Sequence, residues 1–223
     1  MENYDRLKIE LFKIIKIVFG LFVFALGTVC ILNARIGVGP WDIFHQGISN
    51  VTGITVGQAS ISMGVLIVGL DIYLGQAIGF ATIANMILIG SFMDLLMIAD
   101  FVPKPETFLP SLILLIVGLF LHGIGVFLYI AVGWGAGPRD GLMVVLVKKT
   151  GKSVRLIKTI IEFFAAAGGY LLGGDLGMGT LIVAFLSGPI WQFIFQLFKF
   201  NINEVEHLSV QEHIKLIKSN LAK

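Results

Sequence analysis

The chain has 223 residues, of which 57% are apolar and 13% charged, with a formal net charge of +2. A soluble domain carries about 25% charged residues, so a chain this poor in charge cannot cover itself in water, and the bilayer is its natural solvent. The small net charge argues against nucleic acid as a partner, and the single cysteine, Cys30, excludes an internal disulfide and a thiolate metal cluster.

Crossing the hydrocarbon core takes about 20 apolar residues in a helix. Six segments meet that need, at 11–32, 54–74, 78–99, 108–132, 154–172 and 180–200. The charged stretch before the first is too long for a cleavable signal, so 11–32 is expected to be a retained helix. Two further segments, 37–53 and 135–151, are too short to span. Each opens with Gly-x-Gly-Pro, and proline suits the first helical turn, where its missing N–H has no intrahelical partner. In the first, Trp41, Phe44, Ile48 and Val51 fall on one face, with Asp42, His45, Gln46, Ser49 and Asn50 mostly on the other. Such a helix either lies in the interface or enters the membrane as a half-helix.

Short cytoplasmic loops collect lysine and arginine. With six spans and both termini inside, 14 of the 16 basic residues fall on the cytoplasmic side, and only Arg35 and Lys104 fall opposite. The expected location is therefore the cytoplasmic membrane, as a multi-pass protein with a cytoplasmic tail at 201–223.

Gly37 and Gly135 are 98 positions apart, and a shift by that amount aligns the chain with itself without a gap. Gly37-x-Gly39-Pro40-x-Asp42 falls on Gly135-x-Gly137-Pro138-x-Asp140. Gly20, Gly27, Gly79, Thr82 and Gly90 fall on Gly118, Gly125, Gly177, Thr180 and Gly188. The expectation is one all-α membrane domain with a first repeat over about 11–99 and a second over about 108–200. Three spans per unit make the repeats inverted; a fully crossing short helix would make them parallel. The charge distribution fits both, and the shortness of 37–53 and 135–151 favours inversion.

These motifs, with His45-Gln46-Gly47, Gly141-Leu142 and Lys148-Lys149-Thr150-Gly151, resemble the YczE/YyaS/YitT family of bacterial integral membrane proteins, and above all its YczE-like branch. The resemblance runs from about residue 11 to residue 200. It implies a bacterial membrane protein of this architecture and assigns no catalytic residue.

A helix N-terminus offers unpaired N–H groups and a partial positive charge, and glycines before it allow close approach. Two such ends entering from opposite faces suit a small anion or polar solute. The candidate solute-binding residues are Gly37, Gly39, Pro40, Trp41, Asp42 and His45 with Gly135, Gly137, Pro138, Arg139 and Asp140. The plainer alternative is that Asp42 and Asp140 cap their own helices. Arg139 is expected either to pair with Asp140, to meet an anionic group or to set topology, and Trp41 either to stack on a ligand or to anchor at the interface.

Ionisable groups deep in spans usually face the bundle interior. His122 and Glu162 are candidates for proton coupling, with a Lys158–Glu162 pair at i, i+4 as the alternative for Glu162. Asp71 and Asp175, at span ends, are expected to be solvated. His-Glu-x-x-His, Walker and Gly-x-Ser-x-Gly motifs are absent, and the histidines at 45, 122, 207 and 213 are too scattered for a metal site. Neither enzymatic chemistry, a cofactor nor a metal is expected. The leading expectation is a small-solute transporter. The alternative is a membrane-embedded binding or regulatory subunit acting with a partner protein or in a homo-oligomer, for which the basic loop at 148–158 and the tail would serve as docking elements.

Overall fold

The computed structural model describes residues 2–201, 205 and 208–221, and side-chain environments from residue 8 to residue 215 within that set. Among them the chain forms α1 (Glu2–Asn33), α2 (Pro40–Thr52), α3 (Val56–Tyr73), α4 (Phe80–Ile98), α5 (Phe108–Ile130), α6 (Pro138–Thr150), α7 (Val154–Leu171), α8 (Met178–Leu197) and α9 (Val210–Leu221), with no strand. His207 lies outside the described residues.

Five helices are long and apolar enough to cross a membrane: residues 8–33 of α1, then α3, α4, α5 and α8. The protein is thus a polytopic all-α membrane protein. α7, the sixth expected span, has 18 residues, but Arg155, Lys158 and Glu162 keep it out of that set. Its Phe163, Phe164, Tyr170 and Leu171 are exposed in the manner of lipid-facing side chains. α1 begins earlier than the apolar pattern, because its charged first turns remain helical outside the hydrocarbon.

Lipid tails are as apolar as leucine, so helices in a bilayer associate through close packing of small residues more than through hydrophobic transfer. The centre of this fold follows that rule. α1 and α5 cross through Gly20, Gly27, Gly118 and Gly125. A Cβ on Gly27 would sit 2.5 Å from the His122 amide nitrogen, and one on Gly125 would sit 2.5 Å from that of Phe24. Gly20 meets Gly125 while Gly27 meets Gly118, so the two helices run antiparallel. Around the crossing, Leu21, Val29, Leu115 and Leu119 are fully buried. α4 packs on α1, and α8 packs on α5 in the corresponding way. The Asn33 amide donates to the Val102 carbonyl at 3.0 Å, tying the end of α1 to the α4–α5 connection.

α9 folds back against the opposite end. The Leu208 and Val210 amides donate to the Gly133 and Ile78 carbonyls. Ser209 and Glu212 form a reciprocal cap in which the Ser209 amide donates to Glu212 Oε2 at 2.8 Å and the Glu212 amide to Ser209 Oγ at 3.2 Å. Those Ser209 donors hold the Glu212 carboxyl below the usual carboxylate range.

Candidate functional site

Each Gly-x-Gly-Pro motif forms an extended strand of backbone that runs along the first turns of a spanning helix of the other half. The Gly179 amide donates to the Ile36 carbonyl at 2.6 Å, and the Ala81 amide to the Trp134 carbonyl at 2.9 Å. These two bonds are equivalent under the 98-residue shift. Gly37 and Gly135 adopt φ of +112° and +120°, a region open to glycine and hostile to other residues. A Cβ on Gly37 would lie 2.8 Å from Thr180 Oγ1, and one on Gly135 would lie 2.6 Å from Thr82 Oγ1. Thr82 Oγ1 accepts from the Gly79 amide and donates to the Ala136 carbonyl at 2.6 Å. The chain thus passes beside α8 from Gly37 at Thr180 to Gly39 at Val183, and beside α4 from Gly135 at Thr82 to Gly137 at Asn85. Gly37 and Gly135 are the crowded positions. At Gly39 and Gly137 an added Cβ would have its nearest neighbours at 3.3 Å, Asp42 Oδ2 and Tyr129 Oη respectively.

α2 and α6 start from these loops with proline in the first turn. Their N-caps are Gly39 and Gly137, and neither cap is made by a side chain. Asp42 and Asp140 are the acidic residues of the first turns, where a carboxylate is favoured by the helix dipole.

The two motifs meet through Arg139. Its guanidinium lies 4.8 Å above the Trp41 ring and brings Nη2 to 3.3 Å from His45 Nε2. His45 is 1% exposed, and its Nδ1 lies 3.8 Å from Asp42 Oδ1, beyond hydrogen-bond reach. The Arg139 charge interacts with Asp42, Asp140, Tyr129 and Glu162. Trp41, Asp42, His45, Arg139 and Asp140 thus form one electrostatic cluster at the starts of α2 and α6. The expected split of α2 into an apolar and a polar face does not describe its burial. Ile43, His45 and Gly47 are buried while Val51 is 65% exposed, because α2 is clasped by α7 and α3.

His122 and Glu162 are placed differently. His122 stacks on Trp191, at a centroid distance of 5.3 Å, and lies tilted against Phe24, at 3.9 Å. Glu162 lies 3.7 Å from Lys158, and its side chain is 39% exposed, more than a coupling carboxylate in the bundle interior would be. Gln58 and Asp94 serve the start of α3: Thr55 and Gln58 make a capping box, and Asp94 accepts from Thr55 Oγ1 and the Gly57 amide.

The expectation that Asp71 is solvated is overturned. It is 0% exposed, and neither carboxylate oxygen has a hydrogen-bond partner among the described residues. It lies against α6, where a Cβ on Gly141 would be 2.7 Å from Asp71 Oδ2 and 3.7 Å from Gln76 Cγ. Its position near a span end hid this, because α6 covers that end only in the fold. The repeat held a signal: position 169, the equivalent of 71, is glycine.

The corresponding contact between α2 and α7 is closed by backbone. A Cβ on Gly169 would fall 2.4 Å from the Ile43 carbonyl carbon, one on Gly174 would fall 2.1 Å from the Ile43 carbonyl oxygen, and one on Gly47 would fall 2.6 Å from the Gly169 carbonyl oxygen. Gln46 exchanges hydrogen bonds with Asp175, and the Asn50 amide donates to the Gly173 carbonyl at 2.6 Å. Along α6 the residues equivalent to Gly47, Gln46 and Asn50 are Val145, Val144 and Lys148, and those equivalent to Gly169, Gly174 and Asp175 are Asp71, Gln76 and Ala77.

The fold and this cluster define a helical membrane protein in which equivalent motifs of two halves converge. Residues 11–196 match the family of unknown function DUF6198, and the chain belongs to that family. It is similar to the uncharacterized membrane protein YczE of Bacillus subtilis (strain 168), 37% identical over 78% of this chain and 81% of that protein. An uncharacterized protein of Haemophilus influenzae is 31% identical over 81% of this chain and 82% of its own length. The uncharacterized protein YyaS of Bacillus subtilis is 24% identical over 77% and 86%. No solved structure matches significantly.

Proposed function

We propose that this protein is a small-solute transporter of the bacterial cytoplasmic membrane, with two inverted repeats and the solute held where the starts of α2 and α6 converge. The observation that carries the reading is Arg139 of one motif reaching His45 and Trp41 of the other. Equivalent helices α1 and α5 run antiparallel, as units of opposite orientation would, and the two motif loops run beside α8 and α4 through exchanged contacts. α2 and α6 are then half-helices whose N-terminal dipoles point into one region, where N–H groups, a guanidinium, two carboxylates and an indole face suit a small polar solute. Both termini are cytoplasmic in this reading, and the protein performs no covalent chemistry.

The test is uptake by the purified protein in liposomes, with solutes chosen by a thermal-shift screen, since a ligand stabilises the state it binds. Transport by the protein alone, lost in Trp41→Ala and Arg139→Gln variants that still fold, is the expected result. Activity that requires a co-purifying protein would replace the reading with a binding subunit. Orientation is checked separately by single cysteines in a Cys30→Ser background. Lys104→Cys should react with an impermeant thiol reagent in intact cells and Lys149→Cys should not; the reverse at position 104 would break the inverted arrangement.

A further inference from the structure

We propose that Asp71 is a proton-binding site that latches α6 to α3, and that α6 is the one of the two short helices that moves. The latch stands on its own geometry, while its use in coupling a proton to solute movement rests on the transporter reading above.

An ionised carboxylate taken fully out of water without a partner is costly by several kcal/mol, and a neutral acid is far cheaper to bury. Asp71 is closed off from the protein surface, at 0% exposure, and neither of its oxygens has a hydrogen-bond partner among the described residues. Between α3 and α6, Ile67, Leu142 and Val145 form a buried apolar cluster with Trp41, Met63 and Leu74 packed against it. The charged groups on the helices packed against α3 are Asp94 on α4, Asp42 and His45 on α2, and Arg139, Asp140, Lys148 and Lys149 on α6. Among the described residues Asp71 makes no ion pair or hydrogen bond with any of them. The closed contact with Gly141 is therefore the contact of a protonated Asp71. Loss of the proton to water requires hydration of the carboxylate, and water reaches it only by lifting α6 from α3.

The equivalent place in the other half shows what a permanent contact looks like. There glycines at 47, 169 and 174 bring α2 and α7 into backbone contact, and hydrogen bonds from Gln46 and Asn50 fasten α2 to the α7–α8 turn. On the α6 side an acid and an amide, Asp71 and Gln76, take the places of two of those glycines, and Val144 and Lys148 replace the fastening residues. Gly141 begins the stretch of α6 that follows Arg139 and Asp140, so movement of α6 moves Arg139 relative to His45.

The test needs no solute and uses full-length protein. A reporter cysteine, Gln76→Cys with Cys30→Ser, is labelled by a soluble thiol reagent across pH, and each rate is divided by that of a Lys149→Cys control to remove the thiolate's own titration. The normalised rate should be low at acid pH and rise by up to about tenfold per pH unit, the limit for release of one proton. Asp71→Asn, neutral at every pH, should give a low and flat rate with a melting temperature at or above that of the parent. Gly141→Ala, whose methyl displaces the carboxylate, should give a high rate at every pH. An infrared band of a protonated carboxyl, shifted in heavy water, should vanish in Asp71→Asn. An unchanged pH profile in Asp71→Asn, or no such band assignable to Asp71, overturns the proposal. Failed solute uptake with these results intact would remove the transporter reading and leave the latch.

Discussion

α2 and α6 are equivalent in sequence register and in their Gly-x-Gly-Pro starts, yet they are held in unequal ways. α2 lies on α7 through Gly47, Gly169 and Gly174, so closely that a Cβ at any of the three would overlap backbone atoms. α6 lies on α3 through Val145, Asp71 and Gln76, with Gly141 as the one small residue in the corresponding contact. The difference shows how one unit gives two kinds of interface. Where both surfaces are glycine, the helices approach until main chain meets main chain and dispersion contacts are many. Where side chains intervene, the approach is set by those side chains and by their protonation.

The comparison is tested most severely by giving α2 the residue that α6 carries. Gly47→Val should force α2 off α7 and destabilise the protein by about 3 kcal/mol, near the upper range for overpacking. Reversible unfolding in detergent measures it, together with the amount of protein recovered from membranes. On the α6 side, Val145→Ala removes two buried methyl groups without loss of helix propensity and should cost about 2 kcal/mol. If Gly47→Val were as mild as Val145→Ala, the two interfaces would not differ as described.

A smaller effect follows from the fastening hydrogen bonds. Gln46→Leu with Asn50→Leu removes the three exposed hydrogen bonds to Asp175 and Gly173 and should cost about 1.5 kcal/mol in total, at the low end of about 0.5 kcal/mol per exposed bond. Hydrogen exchange in the 173–176 turn should then rise toward that of the 75–78 turn, which has no such bonds from α6 among the described residues. No change in exchange would mean that glycine packing alone holds α2.

The smallest effect is expected from Lys158 and Glu162 on α7, which have no charged counterparts on α3, where the equivalent residues are Ser60 and Gly64. The pair is 3.7 Å long with side chains 56% and 39% exposed. Glu162→Gln should change stability by less than about 0.5 kcal/mol, as for an exposed i, i+4 pair, and Glu162→Gln with Lys158→Met should recover whatever is lost. A large change in a pH-dependent step in the single variant, without recovery in the double, would return Glu162 to the coupling role.

Much of the architecture was legible in the chain itself. Apolar run length marked the helices, because the cost of burying backbone N–H and C=O groups in hydrocarbon forces each run to be helical. Proline after glycine marked the starts of α2 and α6 within a residue, because φ and the missing N–H act locally. The 98-residue register paired Gly37 with Gly135 and Thr82 with Thr180, and each of these positions carries an equivalent contact in the fold. What tertiary structure alone decided is which groups lost water and what they met. Arg139 lies 94 residues from His45, and no local pattern could bring His45 and Trp41 to its guanidinium. His45 looked like part of a polar face and is buried, while Glu162 looked central and is half-exposed. Asp71 stands near the end of a span, where its own helix would leave it wet; α6, arriving from the other half, removes that water. Periodicity and composition act along one helix, whereas desolvation depends on every helix that arrives.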